Sequence, residues 1–163
     1  MKPALLVLDP QNDFFEEDNP NLAAFRATIP VINSASAFFR ERRWPVLFVQ
    51  HISHDKPAGS HAWAIHAGFD CTAQDIQFSK THPNAFWQTE LDTLLKSRQV
   101  DFVVLAGYLA EQCVLATLRA ALEHAYRGAI LENSIASLDD RHTRFVLEIS
   151  PHISLDEWKA DAD

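Results

Sequence analysis

Cysteine, glycine and basic residues are the scarce components of this chain, and each scarcity closes off a class of protein. Only Cys71 and Cys113 occur among 163 residues, too few for the framework of a small disulfide scaffold. Four glycines and eight prolines exclude collagen-like repeats and low-complexity disorder. No glycine-rich phosphate loop follows either of the first two expected strands, which argues against a nucleotide or flavin module. Lys and Arg number 14 against 22 Asp and Glu, for a formal net charge of −8. That balance disfavours nucleic acid or an anionic membrane as partner, because cationic attraction dominates both kinds of binding. The one dense basic cluster, Arg40, Arg42 and Arg43, reads as cations complementing a helix C-terminus. No signal-peptide pattern opens the chain, and the apolar run 4–8 is far too short to span a bilayer, so a cytoplasmic location is the expectation.

What the chain does have is an ordinary core composition, 47% apolar and 22% charged, at a length that suits a single domain over 1–163. The continuous apolar run 4–8, closed by Asp9-Pro10, predicts a strand buried on both faces. A helix over 28–42 follows, with Thr28 as cap and Pro30 in its first turn. Residues 45–49 and 101–106 predict further buried strands, and a short strand ends near Lys80. The leucine spacing in 90–98 and the Ala, Leu and Glu content of 111–126 predict helices. A short helix is expected near 61–66, a short strand at 129–131, a helix beginning at Asp139 or Asp140, and a last segment near 153–155. Strands alternating with helices specify an α/β fold: a doubly wound, Rossmann-like parallel sheet with helices on both faces, three layers in all. In such sheets ligands sit beyond the carboxyl ends of the strands, which is where Asp9, His51, Lys80 and the loop from Gly107 converge.

Cys113 is expected near the start of a helix that follows a strand and a glycine turn, where unpaired N–H groups favour a thiolate and lower its pKa. Asp9 supplies a proton acceptor and Lys80 positive charge. Taken singly, each has a plainer reading: a core cysteine, a turn-capping aspartate and a solvated lysine.

Three stretches carry a resemblance. They are Leu8-Asp9-Pro10-Gln11-Asn12-Asp13-Phe14; Lys80 with Asn84-Ala85-Phe86 and Thr89-Glu90-Leu91; and Gly107 to Glu111 with Cys113, Val114, Thr117 and Ala121. In this order they resemble the isochorismatase-like cysteine hydrolase superfamily. The resemblance implies a catalytic triad of Asp9, Lys80 and Cys113, a cis peptide at Tyr108-Leu109, and an oxyanion hole from the backbone N–H groups of Leu109 and Cys113. It also implies cleavage of a small amide or related carbonyl C–N substrate through a thioester, with no cofactor. Two alternatives stand beside it: an isochorismatase-type vinyl-ether hydrolase, and a non-catalytic small-molecule-binding or assembly protein. Homodimers or larger homo-oligomers are common in the family and are expected here.

Nicotinamidases in that superfamily carry an Asp-x-His metal motif after the second strand. This chain has His51 at the Asp position and Ser53 at the first His position, so no metal is expected, with His51, His54 and His61 as the minority metal reading. The stretch 59–66 resembles the non-nicotinamidase branch, in which this loop partly covers the site. Phe14, Trp63, Phe86 and Tyr108 are the expected pocket walls, and Cys71 is expected to be structural.

Overall fold

The computed structural model describes residues 1–161. Six strands form one parallel sheet: β1 (Pro3–Leu8), β2 (Val46–His51), β3 (Ile76–Lys80), β4 (Phe102–Tyr108), β5 (Arg127–Ala136) and β6 (His152–Ile153), in the order β3-β2-β1-β4-β5-β6. Alternate residues of each strand enter different cores, as the two-residue period of a strand requires. Leu5, Val7, Phe48 and Val104 pack with Phe25, Ile32 and Phe39 of α1 (Leu22–Glu41) and Trp158 of α5 (Leu155–Asp161). Leu6, Leu8, Val49 and Leu105 pack with Leu91 and Leu95 of α2 (Leu91–Ser97), Leu118 and Ala121 of α3 (Leu115–Glu123) and Val146 of α4 (Asp140–Glu148). The result is the three-layer α/β/α sandwich expected from the sequence.

Several boundaries differ from the sequence-based expectation. Helix α1 starts at Leu22, six residues before Thr28, and Pro30 lies inside it; the apolar stripe seated on the sheet offsets the one hydrogen bond that proline removes. By length and composition this helix would suit a membrane, yet Phe25, Ile32, Ala35, Phe38 and Phe39 are buried against the sheet. Residues 61–66 form turns rather than a helix. Strand β5 has ten residues instead of three, because a register shift between Leu105 and Gly107 lets it resume pairing at Ile135. Asn133, with φ +59°, and the Ser134 hydroxyl donating to the Leu131 carbonyl shape that bulge.

Strand β1 lies between β2 and β4, so the order reverses beside it, and the crevice at such a switch point is the expected ligand site. Gly107 fixes how closely the two strand ends meet. Its φ is +110°, and a Cβ there would stand 2.0 Å from the Leu8 carbonyl oxygen.

Candidate active site

Each buried functional group comes from a strand end. Asp9 follows β1 in a left-handed conformation, φ +54°, which turns its carboxylate away from the strand path. His51 and Lys80 are register partners at the ends of β2 and β3. Gln11 ties the first two ends together: its side-chain amide donates to the carbonyls of His51 and Trp63, and its oxygen accepts from the His51 N–H.

Past β4 the Tyr108-Leu109 peptide is cis, and the chain enters a five-residue π-helical turn, Ala110–Val114. The single α-helix expected over 111–126 is therefore a π turn followed by α3. Single π turns of this type recur at functional positions in helices, and this one carries Cys113. Among the described residues, the Leu109 N–H meets no acceptor.

At the centre lies Lys80 Nζ, 3.2 Å from Asp9 Oδ2, 2.9 Å from His51 Nδ1 and 3.1 Å from Cys113 Sγ. An ammonium carries three donors and no acceptor, so these contacts use its whole capacity. The arrangement requires an unprotonated Nδ1 on His51, hence a neutral ring with its hydrogen on Nε2. His51 is held to that state: burial lowers its pKa to about 4, with the positive charges of Lys80, Lys56 and His82 adding to the effect.

Burial also raises the pKa of Asp9 above the ordinary carboxylate value, against the opposing pull of Lys80. Asp9 Oδ1 is buried with no hydrogen-bond donor. The Cys113 thiol is pushed up to about 12 by burial, then by the negative charge of Asp9, with Lys80 opposing. This corrects the expectation of a lowered thiol pKa. Loss of water around Cys113 outweighs the favourable turn geometry, so the resting side chain is a thiol.

The donor atoms of Asp9, His51 and Cys113 lie within 4.8 Å of one another, a mixed oxygen, nitrogen and sulfur set of the type zinc accepts. Lys80 donates to all three, so a cation already stands among them, and the set does not fit a metal while that ammonium is in place. His54 and His61 do not join His51. Both rings are largely exposed, beside Asp55 and Glu16 respectively.

The cluster opens into a cavity of about 280 Å³ whose lining includes Phe14, Lys56, Pro83, Leu109, Gln112 and Cys113. A larger cleft of about 550 Å³ lies at the amino-terminal edge of the sheet, beside Pro3, Pro45 and Ile76, and contains none of the buried cluster. Of the four expected pocket walls, Phe14 lines the smaller cavity. Tyr108 lies one layer below, packed on Phe25 and Phe14 with its hydroxyl paired to Thr28. Phe86 stacks on His124 and Tyr126 in the opposite core. Trp63 is half-buried, and its carbonyl accepts from Gln11 and Gln50. Sequence reasoning brought His51 to the strand ends beside Asp9 and Lys80 but gave it no contact with Lys80, and it missed Lys56. The position of His51 at the end of an apolar strand was the available signal for the first.

The model of the isochorismatase domain matches residues 3–151 of the chain. An uncharacterized isochorismatase family protein of Bacillus subtilis, YddQ, is 31% identical over 147 residues, covering 84% of this chain and 79% of that one. The crystal structure of N-carbamoylsarcosine amidase from Thermoplasma acidophilum superposes with a TM-score of 0.79 at 26% identity, covering 91% of this chain and 92% of that one. An isochorismatase-like hydrolase from Alkaliphilus metalliredigens shares the fold along the full length of both chains, with a TM-score of 0.90 at 23% identity.

Proposed function

The chain belongs to the isochorismatase family, and from that premise we propose that it is a cysteine hydrolase that cleaves a small amide or related carbonyl C–N bond. The observation that carries this reading is the Lys80 ammonium, which touches a carboxylate and a thiol in one buried cluster open to a cavity. Asp9, Lys80 and Cys113 are its catalytic triad.

Asp9 takes the Cys113 proton as sulfur attacks the carbonyl carbon, its raised pKa making it a stronger base than an ordinary carboxylate. The negative charge passes from Asp9 through sulfur to the carbonyl oxygen, where the N–H groups of Leu109 and Cys113 receive it. Lys80 offsets one anion at each stage. As the C–N bond breaks, Asp9 returns its proton to the departing nitrogen, leaving an acyl thioester. Water then gives a proton to Asp9 and attacks the thioester; collapse expels sulfur, which recovers that proton, and the acid leaves.

His51 and Ser53, standing where an Asp-x-His motif would be, favour the non-nicotinamidase branch. The family match over residues 3–151 also supports the chain acting as one domain, read here as 1–163, on a small-molecule substrate. The exposed Leu122, Phe145 and Ile149 support self-association into a homodimer or larger homo-oligomer.

An amide library followed by mass detection tests the reading. Cys113→Ala is expected to lower turnover by about 10⁴-fold or more, and chelation to leave it unchanged. Turnover that survives loss of Cys113 would overturn the nucleophile assignment.

A further inference from the structure

Lys56 is the one charged group at the cavity that the proposed chemistry does not use. Its side chain is 10% exposed, and Nζ donates to Asp13 Oδ2 at 2.6 Å. Among the described residues no other oxygen or nitrogen accepts from it, so two of its three N–H donors are unmatched. The ammonium also lies 5.0 Å from the centre of the Phe14 ring, and both residues line the cavity that contains Cys113.

With one N–H given to Asp13, the ammonium of a lysine that lines the cavity keeps two donors to offer a group bound there. A purely structural role, tying the turn after β1 to the loop after β2, would be served by the Asp13 contact alone. It leaves unexplained why the rest of the ammonium borders the space beside the nucleophile. The charge of Lys56 reaches both Asp9 and His51, which places it within electrostatic range of the reacting groups. His51 is neutral and Asp9 is countered by Lys80, so within the site the anion paired with Lys56 is Asp13 alone, through one N–H.

Resting on the hydrolase reading above, we propose that Lys56 is a specificity-determining residue that anchors an anionic oxygen group, a carboxylate, carried by the substrate at the end remote from the scissile bond. Phe14 is the apolar surface beneath the connecting atoms. The cavity of about 280 Å³ suits a small substrate. With that carboxylate on the acyl side of the scissile bond, the substrate is a short acidic amide whose hydrolysis yields a small dicarboxylic acid.

The test uses pairs of short amides that differ in one remote group, a carboxylate in one and a neutral carboxamide or methyl ester in the other. The native chain is expected to prefer the carboxylate member in kcat/KM. In Lys56→Gln, which keeps a donor for Asp13, that preference is expected to fall about 10- to 100-fold, mainly through KM, as suits the loss of a charge-assisted contact. Lys56→Arg is expected to restore part of it. Thermal unfolding of both variants separates a recognition defect from a folding defect, and competitive inhibition by dicarboxylates over monocarboxylates reads the same contact without turnover. Cys113-dependent hydrolysis with no preference for the anionic member, or an unchanged preference in Lys56→Gln, would overturn the anchor while leaving the hydrolase reading intact. Hydrolysis that persists in Cys113→Ala would instead remove the premise.

Discussion

Lys80 is buried in full yet has no spare donor, and the balance around it is easily upset. Replacing it with methionine removes the counter-charge of Asp9 and one partner each of His51 and Cys113. Breaking a buried pair from one side typically costs about 3 to 5 kcal/mol. Lys80→Met should therefore lose stability of that order in chemical denaturation, together with turnover. Gly107→Ala should also be strongly destabilised, by about 3 kcal/mol or more, because the added carbon would overlap the Leu8 carbonyl. A denaturation midpoint equal to that of the parent would contradict the close approach of β1 and β4. At this scale the sequence was legible where chemistry and position coincide: Asp9, Lys80 and Cys113 each follow or end a recognisable strand. Lys56 was not legible, since it sits in an irregular stretch where neither period nor propensity reveals which way a side chain turns.

Among the elements, strands were easier to read than helices. The runs 4–8, 45–49 and 102–106 are apolar without interruption, as strands covered on both faces must be. Pro30 obscured the first helix, because its cost is local whereas the packing that offsets it is tertiary. The π turn was invisible for a related reason: residues 110–126 have a continuous helical composition, and only the geometry of the chain leaving β4 selects five residues of wider turn. The bulge in β5 follows similarly from pairing rather than from composition. Thr117 illustrates how α3 supports the site from behind. Its buried hydroxyl oxygen accepts from the Ala85 N–H at 3.1 Å and can donate to the Pro83 carbonyl at 3.4 Å, and Pro83 lines the cavity. Thr117→Val should cost about 1 to 2 kcal/mol in equilibrium unfolding, the usual penalty for leaving a buried donor unmatched. A neutral effect would show that the loop holds its place without the hydroxyl.

For the molecule as a whole, pH acts through histidines that folding keeps neutral. His51 accepts from Lys80 at Nδ1 and His66 accepts from the Gly68 N–H at Nδ1, and burial lowers the pKa of both. The unfolded chain takes up these protons near the ordinary histidine value of about 6.5, whereas folded His51 resists until about pH 4. The unfolded state thus binds more protons between those limits, and stability falls as pH drops through them. Asp9, whose pKa folding raises, works in the opposite sense, so thermal melts between pH 7 and pH 4 isolate the histidine share by comparison: His51→Gln, which keeps an acceptor for Lys80, should lose less stability on acidification than the parent. On the proposed role of Asp9 as the base, activity has a separate acid limb set by its protonation. Because burial raises that pKa, the fall in kcat/KM on acidification should begin at a higher pH than an ordinary carboxylate would give.

Protonated sulfur has a further consequence for how the protein meets its chemical surroundings. Peroxides and haloacetamides react with thiolates, and burial raises both thiols, Cys71 to about 11 and Cys113 to about 12. Neither side chain offers such reagents much anion at neutral pH. On the proposed role of Cys113 as nucleophile, the same proton that postpones attack on a carbonyl would shield the sulfur from indiscriminate oxidation and alkylation between turnovers.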